Sequence, residues 1–168
     1  GEDVFRDLKR RGWADHKIEV FKKLVWLRLD PDIVQRIWLR DKTANEKFWK
    51  DLHDIGWDDE RIKVYKELAM IIPSAQDIIR MAVKEAFTPD IAEKFGQYQD
   101  FPADFAKWGE KIGLSDFWAK AYWAAHWDLP SASQGFEMLH RGIITYDELK
   151  LLLRALDVMP FWRDRLIK

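Results

Sequence analysis

Two stretches decide how this chain is read. Phe5-Arg6-Asp7-Leu8 leads on to Gly12-Trp13-Ala14-Asp15, and Trp49-Lys50-Asp51-Leu52 leads on to Gly56-Trp57-Asp58-Asp59. In both, an apolar pair at helical spacing is followed by a glycine, a tryptophan and an aspartate. A glycine in that place ends a helix in the left-handed conformation that side-chain-bearing residues resist. The apolar residue after it packs back on the finished helix, and the aspartate starts the next one. The phrase recurs twice more, as Phe105-Ala106-Lys107-Trp108 with Gly113-Leu114-Ser115-Asp116, and as Leu153-Arg154-Ala155-Leu156 with Asp157-Val158-Met159-Pro160. The anchors Gly12, Gly56, Gly113 and Asp157 are spaced 44, 57 and 44 residues apart. The extra length of the middle interval is placed near Phe95 to Pro102.

Working outward, helical periodicity dominates. Phe5 and Leu8, then Ile18, Phe21, Leu24 and Val25, fall at i, i+3 and i+4. Strand alternation and Asn-Gly or Asp-Gly hairpin turns are absent. Thr43-Ala44-Asn45-Glu46 and Thr145-Tyr146-Asp147-Glu148 read as capping boxes, and Ser74-Ala75-Gln76-Asp77 as a weaker one. The six prolines stand where a first helical turn tolerates a missing amide, and Pro73-Ser74-Ala75 recurs as Pro130-Ser131-Ala132. Twelve short helices are predicted, near 3–11, 14–29, 31–40, 44–55, 58–71, 74–86, 89–96, 102–112, 115–127, 131–141, 146–156 and 160–167. The expected fold is all-α, with short helices in stacked helical-hairpin repeats of period about 44, roughly four helices to a period.

Composition agrees with a packed helical chain. Of 168 residues, 48% are hydrophobic and 34% charged, so there is enough apolar surface for a core and too much for a disordered chain. The net charge is −1, which removes any global attraction to nucleic acid or anionic lipid. The absence of cysteine excludes disulfides, a thiol nucleophile and thiolate-bound metal. No apolar run approaches a membrane span, the longest being 68–72, and no secretory leader is read at Gly1-Glu2-Asp3, so a soluble chain is expected. One continuous repeat domain over 1–168 is expected, with sub-units near 1–56, 57–113 and 114–168, forming part of a longer protein. The compartment is not legible.

Catalytic and metal motifs fail when their chemistry is spelled out. Residues 142–149 resemble the second half of a calcium-binding loop, but the first half would need Leu139 and Arg141 as ligands, which offer no oxygen. The histidines His16, His53, His126 and His140 include no i, i+4 pair. The serines sit at predicted helix starts, and neither a nucleophile elbow nor a phosphate loop is present. Asp30, Asp32, Asp58, Asp59 and Glu60 fall in first turns, where the helix dipole favours acid. No cofactor and no metal site are expected, and the chain reads as non-catalytic.

Three groups of residues are candidates for binding. Residues 1–40 hold 10 Lys and Arg against 7 Asp and Glu, while 85–116 hold 3 against 7. Lys9, Arg10, Arg11, Lys17, Lys22 and Lys23 form a candidate basic patch with Trp13 and Trp26 nearby, which would suit nucleic acid. It would equally suit head-to-tail contact with an acidic surface of another copy. Trp123, His126 and Trp127 form a candidate aromatic recess for a ligand. Of the ten tryptophans, Trp13, Trp57, Trp118 and Trp162 hold equivalent places near the repeat anchors, and a row of them would form a partner-binding surface.

The segment Ala121-Tyr122-Trp123-Ala124-Ala125-His126-Trp127-Asp128-Leu129-Pro130-Ser131, followed by 134–144, resembles helical-repeat segments of uncharacterised viral or bacteriophage-type structural proteins, over roughly 70–168. The resemblance implies a structural role in a viral particle and no catalytic residue. The expected function is therefore a structural or protein-interaction module, with a protein partner or self-association and no membrane insertion. Nucleic-acid binding through the basic patch and ligand binding around His126 are the alternatives.

Overall fold

The computed structural model describes residues 2–167. All regular structure among them is helical, in twelve helices: α1 (Glu2–Arg10), α2 (Asp15–Val25), α3 (Pro31–Arg40), α4 (Trp49–Asp54), α5 (Asp59–Leu68), α6 (Ala75–Val83), α7 (Pro89–Lys94), α8 (Ala103–Glu110), α9 (Asp116–Ala124), α10 (Ala132–His140), α11 (Tyr146–Ala155) and α12 (Pro160–Leu166). Each corresponds to one predicted segment, and the fold is all-α. A single 3-10 turn, Glu46–Phe48, precedes α4.

All four anchors end a helix in the same way. Gly12, Gly56, Gly113 and Asp157 have φ of 85°, 100°, 92° and 60°. The N–H of the residue after each anchor reaches the carbonyl five residues back: Trp13 to Leu8 at 3.1 Å, Trp57 to Leu52 at 2.9 Å, Leu114 to Gly109 at 2.9 Å and Val158 to Leu153 at 3.0 Å. This is the Schellman pattern, which satisfies carbonyls the helix leaves open. The same ending occurs at Glu85, Gly96 and Gly142, outside the quoted phrase. The two intervals of 44 residues each contain three helices, fewer than expected, and the interval of 57 contains four. Its extra length is thus mainly an added helix.

Local capping decides the helix starts. Thr145 with Glu148 forms the expected capping box, and Ser131 with Gln134 forms another. Ser74 and Ser115 cap α6 and α9. The box expected at Thr43 does not form. Asp41 accepts the Ala44 N–H at 2.9 Å instead, and the Glu46 carboxylate is held by the Trp38 indole N–H at 2.9 Å and by Lys66. With its cap acids engaged elsewhere, 44–55 divides into a turn, a 3-10 turn and α4. Asp58 caps α5 through the Arg61 N–H at 2.8 Å. Asp15 and Asp116 lie inside first turns, behind Ala14 and Ser115.

The chain divides after Lys66 into two compact units. This line differs from the boundaries of the three repeat sub-units near 56 and 113. In the first unit the core is Val34, Trp49, Leu52 and Ile62, with Trp38, Trp57 and Tyr65 packed against it. Its rings meet edge to face, as Trp38 with Trp49 at 5.6 Å and Trp57 with Tyr65 at 5.2 Å, the arrangement that ring quadrupoles favour. In the second unit the core is Met81, Ala86, Ala121, Ala124 and Ala125. Alanines there leave room for α9 to lie close to α6, while α8 packs on α9, α10 on α11, and α11 on α12.

Candidate functional site

A cavity of about 530 Å³ opens in the second unit, between the end of α6, α7, the α9–α10 connection, α10 and α11. Its walls are mostly apolar, including Ile91, Phe95, Trp127, Leu129, Met138 and Leu152. Helix endings position the polar groups. Glu85 takes the left-handed position that closes α6, at φ 62°, and Thr88 N–H returns to its carbonyl at 2.9 Å. The chain then turns directly into α7 at Pro89. This places the Glu85 side chain inside, 4% exposed, the one buried charged residue among those described.

The Glu85 carboxylate accepts the Thr88 hydroxyl at 2.9 Å on Oε2. Its Oε1 lies 2.7 Å from Nε of the half-exposed Arg154, an ionic contact in which no N–H is aligned for a hydrogen bond. Gln97, also in the wall, donates from Nε2 to the Lys84 carbonyl at 2.8 Å, and its Oε1 is buried with no donor. Lys84 donates from Nζ to the Trp127 carbonyl at 2.6 Å, and the Trp127 indole N–H donates to the Gln97 carbonyl at 2.9 Å. Burial pulls the Lys84 ammonium below its ordinary pKa, Arg80 adds to the effect and Asp128 opposes it. At the rim, the Glu148 carboxylate is held below its usual range, first by the Thr145 backbone N–H and then by Lys94.

The recess expected at His126 is only partly this cavity. Trp127 lines it; Trp123 and His126 do not. His126 is exposed, with its ring 4.1 Å from that of Trp123 and 4.4 Å from that of Trp127. His126 follows Ala125, the C-cap of α9, and its imidazole lies on the surface, so the recess is not centred on it. Trp123 instead packs on Phe101 and Phe105 and donates its indole N–H to the Gln99 carbonyl at 2.8 Å.

The four tryptophans near the repeat anchors differ in exposure. Trp57 packs on the first core and Trp118 on the second. Trp13 is 42% exposed, edge-on to Phe21 at 5.9 Å, and Trp162 is 56% exposed beside Phe161. Of the six basic-patch cations, Lys9 pairs with Asp15 at 2.9 Å, Arg11 with Asp7 at 3.1 Å and Lys22 with Glu19 at 2.8 Å. Arg10, Lys17 and Lys23 are exposed. Among the described residues no cluster of three or more histidines and acids is placed to hold a metal ion, and no helix is long and apolar enough to cross a membrane.

Sequence reasoning did not single out the tract 20–27. Val20, Leu24, Val25, Trp26 and Leu27 are all more than half exposed, and Leu27 is 99% exposed. The periodicity assigns Leu24 and Val25 to the buried stripe, but Ile18 alone of α2 is fully buried. Glu85 and Gln97 were missed as well. Nothing marks Glu85 as a helix end, where five of the six other left-handed endings use glycine; the nearest signal is the Thr88-Pro89 start of α7.

Comparison of the chain with protein-family models, curated proteins and solved structures finds no match.

Proposed function

We propose that the chain is a non-catalytic structural module that associates with further copies of itself through apolar surface on its first unit. The observation that carries this reading is the tract 20–27. Five large apolar side chains stand in eight consecutive residues, with Leu24 74% and Trp26 73% exposed. Exposed apolar surface gathered in one short tract marks an interaction surface, and tryptophan is among the residues most enriched in binding hot spots. Charge supports a head-to-tail arrangement. The tract belongs to the basic segment 1–40, and the acidic segment 85–116 of another copy has the complementary sign. A heterologous contact of that type leaves one free face on each end, so growth is open unless the rotation closes a ring. A place in a viral particle is the finer form of this proposal and rests on the resemblance of 70–168 alone.

The double substitution Leu24→Ser with Trp26→Ser tests the surface. Both side chains are exposed, so the far-UV circular dichroism is expected to be unchanged. Sedimentation velocity is expected to show association in the unaltered chain and a single 20.1 kDa species in the variant. Equal association in both would sink the assignment of this tract.

A further inference from the structure

We propose that the cavity of the second unit is a binding site for a small organic ammonium ion with an apolar body. This goes beyond the self-association reading and does not depend on it. The size is the first argument: about 530 Å³ lies in the range of sites for small organic molecules. The walls are the second. Ile91, Phe95, Leu129, Met138 and Leu152 with the Trp127 ring offer hydrocarbon and aromatic contact, so a bare inorganic ion would leave most of the surface unmatched.

A buried acceptor without a donor is the third argument. Glu85 Oε1 is ion-paired with Arg154 at 2.7 Å, whereas Gln97 Oε1 is buried with no donor. The Gln97 amide cannot be turned round to cure this, because Nε2 is already committed to the Lys84 carbonyl. Gln97 lines the chamber together with Glu85, and buried acceptors are ordinarily matched by donors. The missing chemistry is therefore a donor group brought by the ligand.

Charge selects the kind of donor. Glu85, Asp100, Asp128 and Glu148 line the cavity against one cation, Lys84, whose Nζ is held by the Trp127 carbonyl. Arg154 faces Glu85, and Lys94 faces Glu148 at 3.3 Å, both from partly exposed positions. An anion would meet four carboxylates. A neutral hydroxyl supplies one donor and no charge. An ammonium supplies three donors and the opposite sign, and the Trp127 ring adds a face suited to a cation.

The test uses n-octylammonium, with 1-octanol and octanoate as neutral and anionic counterparts of equal length. Titration of the full chain is followed by calorimetry and by the amide and indole N–H resonances. The expected result is saturable binding of octylammonium that moves the Trp127 indole signal, at least about tenfold tighter than octanol, with octanoate weaker still. Glu85→Gln is expected to abolish the preference for the ammonium while octanol binding stays unchanged. Leu152→Trp, which fills the chamber, is expected to remove both. Equal affinities for the ammonium and the alcohol in the unaltered chain, tighter binding of octanoate, or no saturable binding would each overturn the proposal. The comparison of the three probes on the unaltered chain decides the matter even where a variant fails to fold.

Discussion

The carbonyl oxygen of Gly113 accepts the backbone N–H of Ile71 at 2.8 Å, joining the turn after α8 to the segment that follows α5. The closeness of this pairing leaves no room for a side chain: a Cβ on Gly113 would collide with the carbonyl oxygen of Ala69. At Gly12 and Gly56 the same Cβ would meet open space. The three glycines share a role in ending helices, but only Gly113 also carries a contact between separate segments.

Alanine substitution separates the two roles. Gly12→Ala and Gly56→Ala incur only the left-handed backbone penalty, about 1–2 kcal/mol. Gly113→Ala adds a clash with backbone that cannot swing aside, and is expected to cost about 3 kcal/mol or more. Denaturant midpoints of the three variants check this; equal losses would contradict it.

Gly135 tests the packing of α10 on α11. In an exposed helix, Gly→Ala stabilises by about 1 kcal/mol. Here an added Cβ would come within 2.6 Å of a Leu152 methyl and 2.9 Å of one on Leu149, which is fully buried. Overpacking of this kind costs about 1–3 kcal/mol, so Gly135→Ala is expected to lower the melting temperature.

Tryptophans that match in pairs, Trp13 with Trp57 just after their anchors and Trp118 with Trp162 five residues after theirs, are expected to behave unequally. Trp57→Ala and Trp118→Ala remove rings packed on the two cores and should cost about 3 kcal/mol each. Trp13→Ala and Trp162→Ala should each cost less, about 1 kcal/mol, because Trp13 is 42% and Trp162 56% exposed and neither packs on a buried core. Similar losses at all four would show that exposure does not govern their role.

The Tyr65 hydroxyl donates to Asp32, and burial, reinforced by that acceptor, pushes its pKa from 10.0 up to about 12. A raised folded-state pKa means the folded chain holds the proton more tightly than the unfolded one. The resulting stability is fully present below pH 10 and is lost as pH rises through about 12. Unfolding measured from pH 9 to 12 is expected to show this fall in the unaltered chain and a flatter profile in Tyr65→Phe.

The opposite sign holds at the acid end. Ser74 holds the Asp77 carboxyl below 3.8, with Tyr122 assisting, and the Thr145 N–H with Lys94 holds Glu148 below 4.5. Their contributions are present above those values and disappear as pH falls below them. Acid titration of Ser74→Ala and Glu148→Gln is expected to show a shallower loss than the unaltered chain.

What the sequence makes legible follows from how local each signal is. Gly12, Gly56 and Gly113 end helices through their own backbone freedom, and Thr145 with Glu148 closes a loop of four residues. Such features are visible without tertiary structure. Thr43 shows the limit: its box does not form, and Glu46 is held instead by Trp38 and Lys66, eight and twenty residues away. Leu24 and Val25 keep a helical stripe that the unit does not bury. The cavity was illegible for the same reason. Glu85 enters it from a helix end without glycine, and Gln97 and Trp127 meet it from connections 30 residues apart.

The central claim, self-association through the first unit, is tested most directly by light scattering behind size exclusion over a wide range of concentration and salt. The account predicts a mass that rises above 20.1 kDa with concentration. Added salt should weaken the charge-assisted part while the apolar part persists. A mass of 20.1 kDa at every concentration and salt would contradict it.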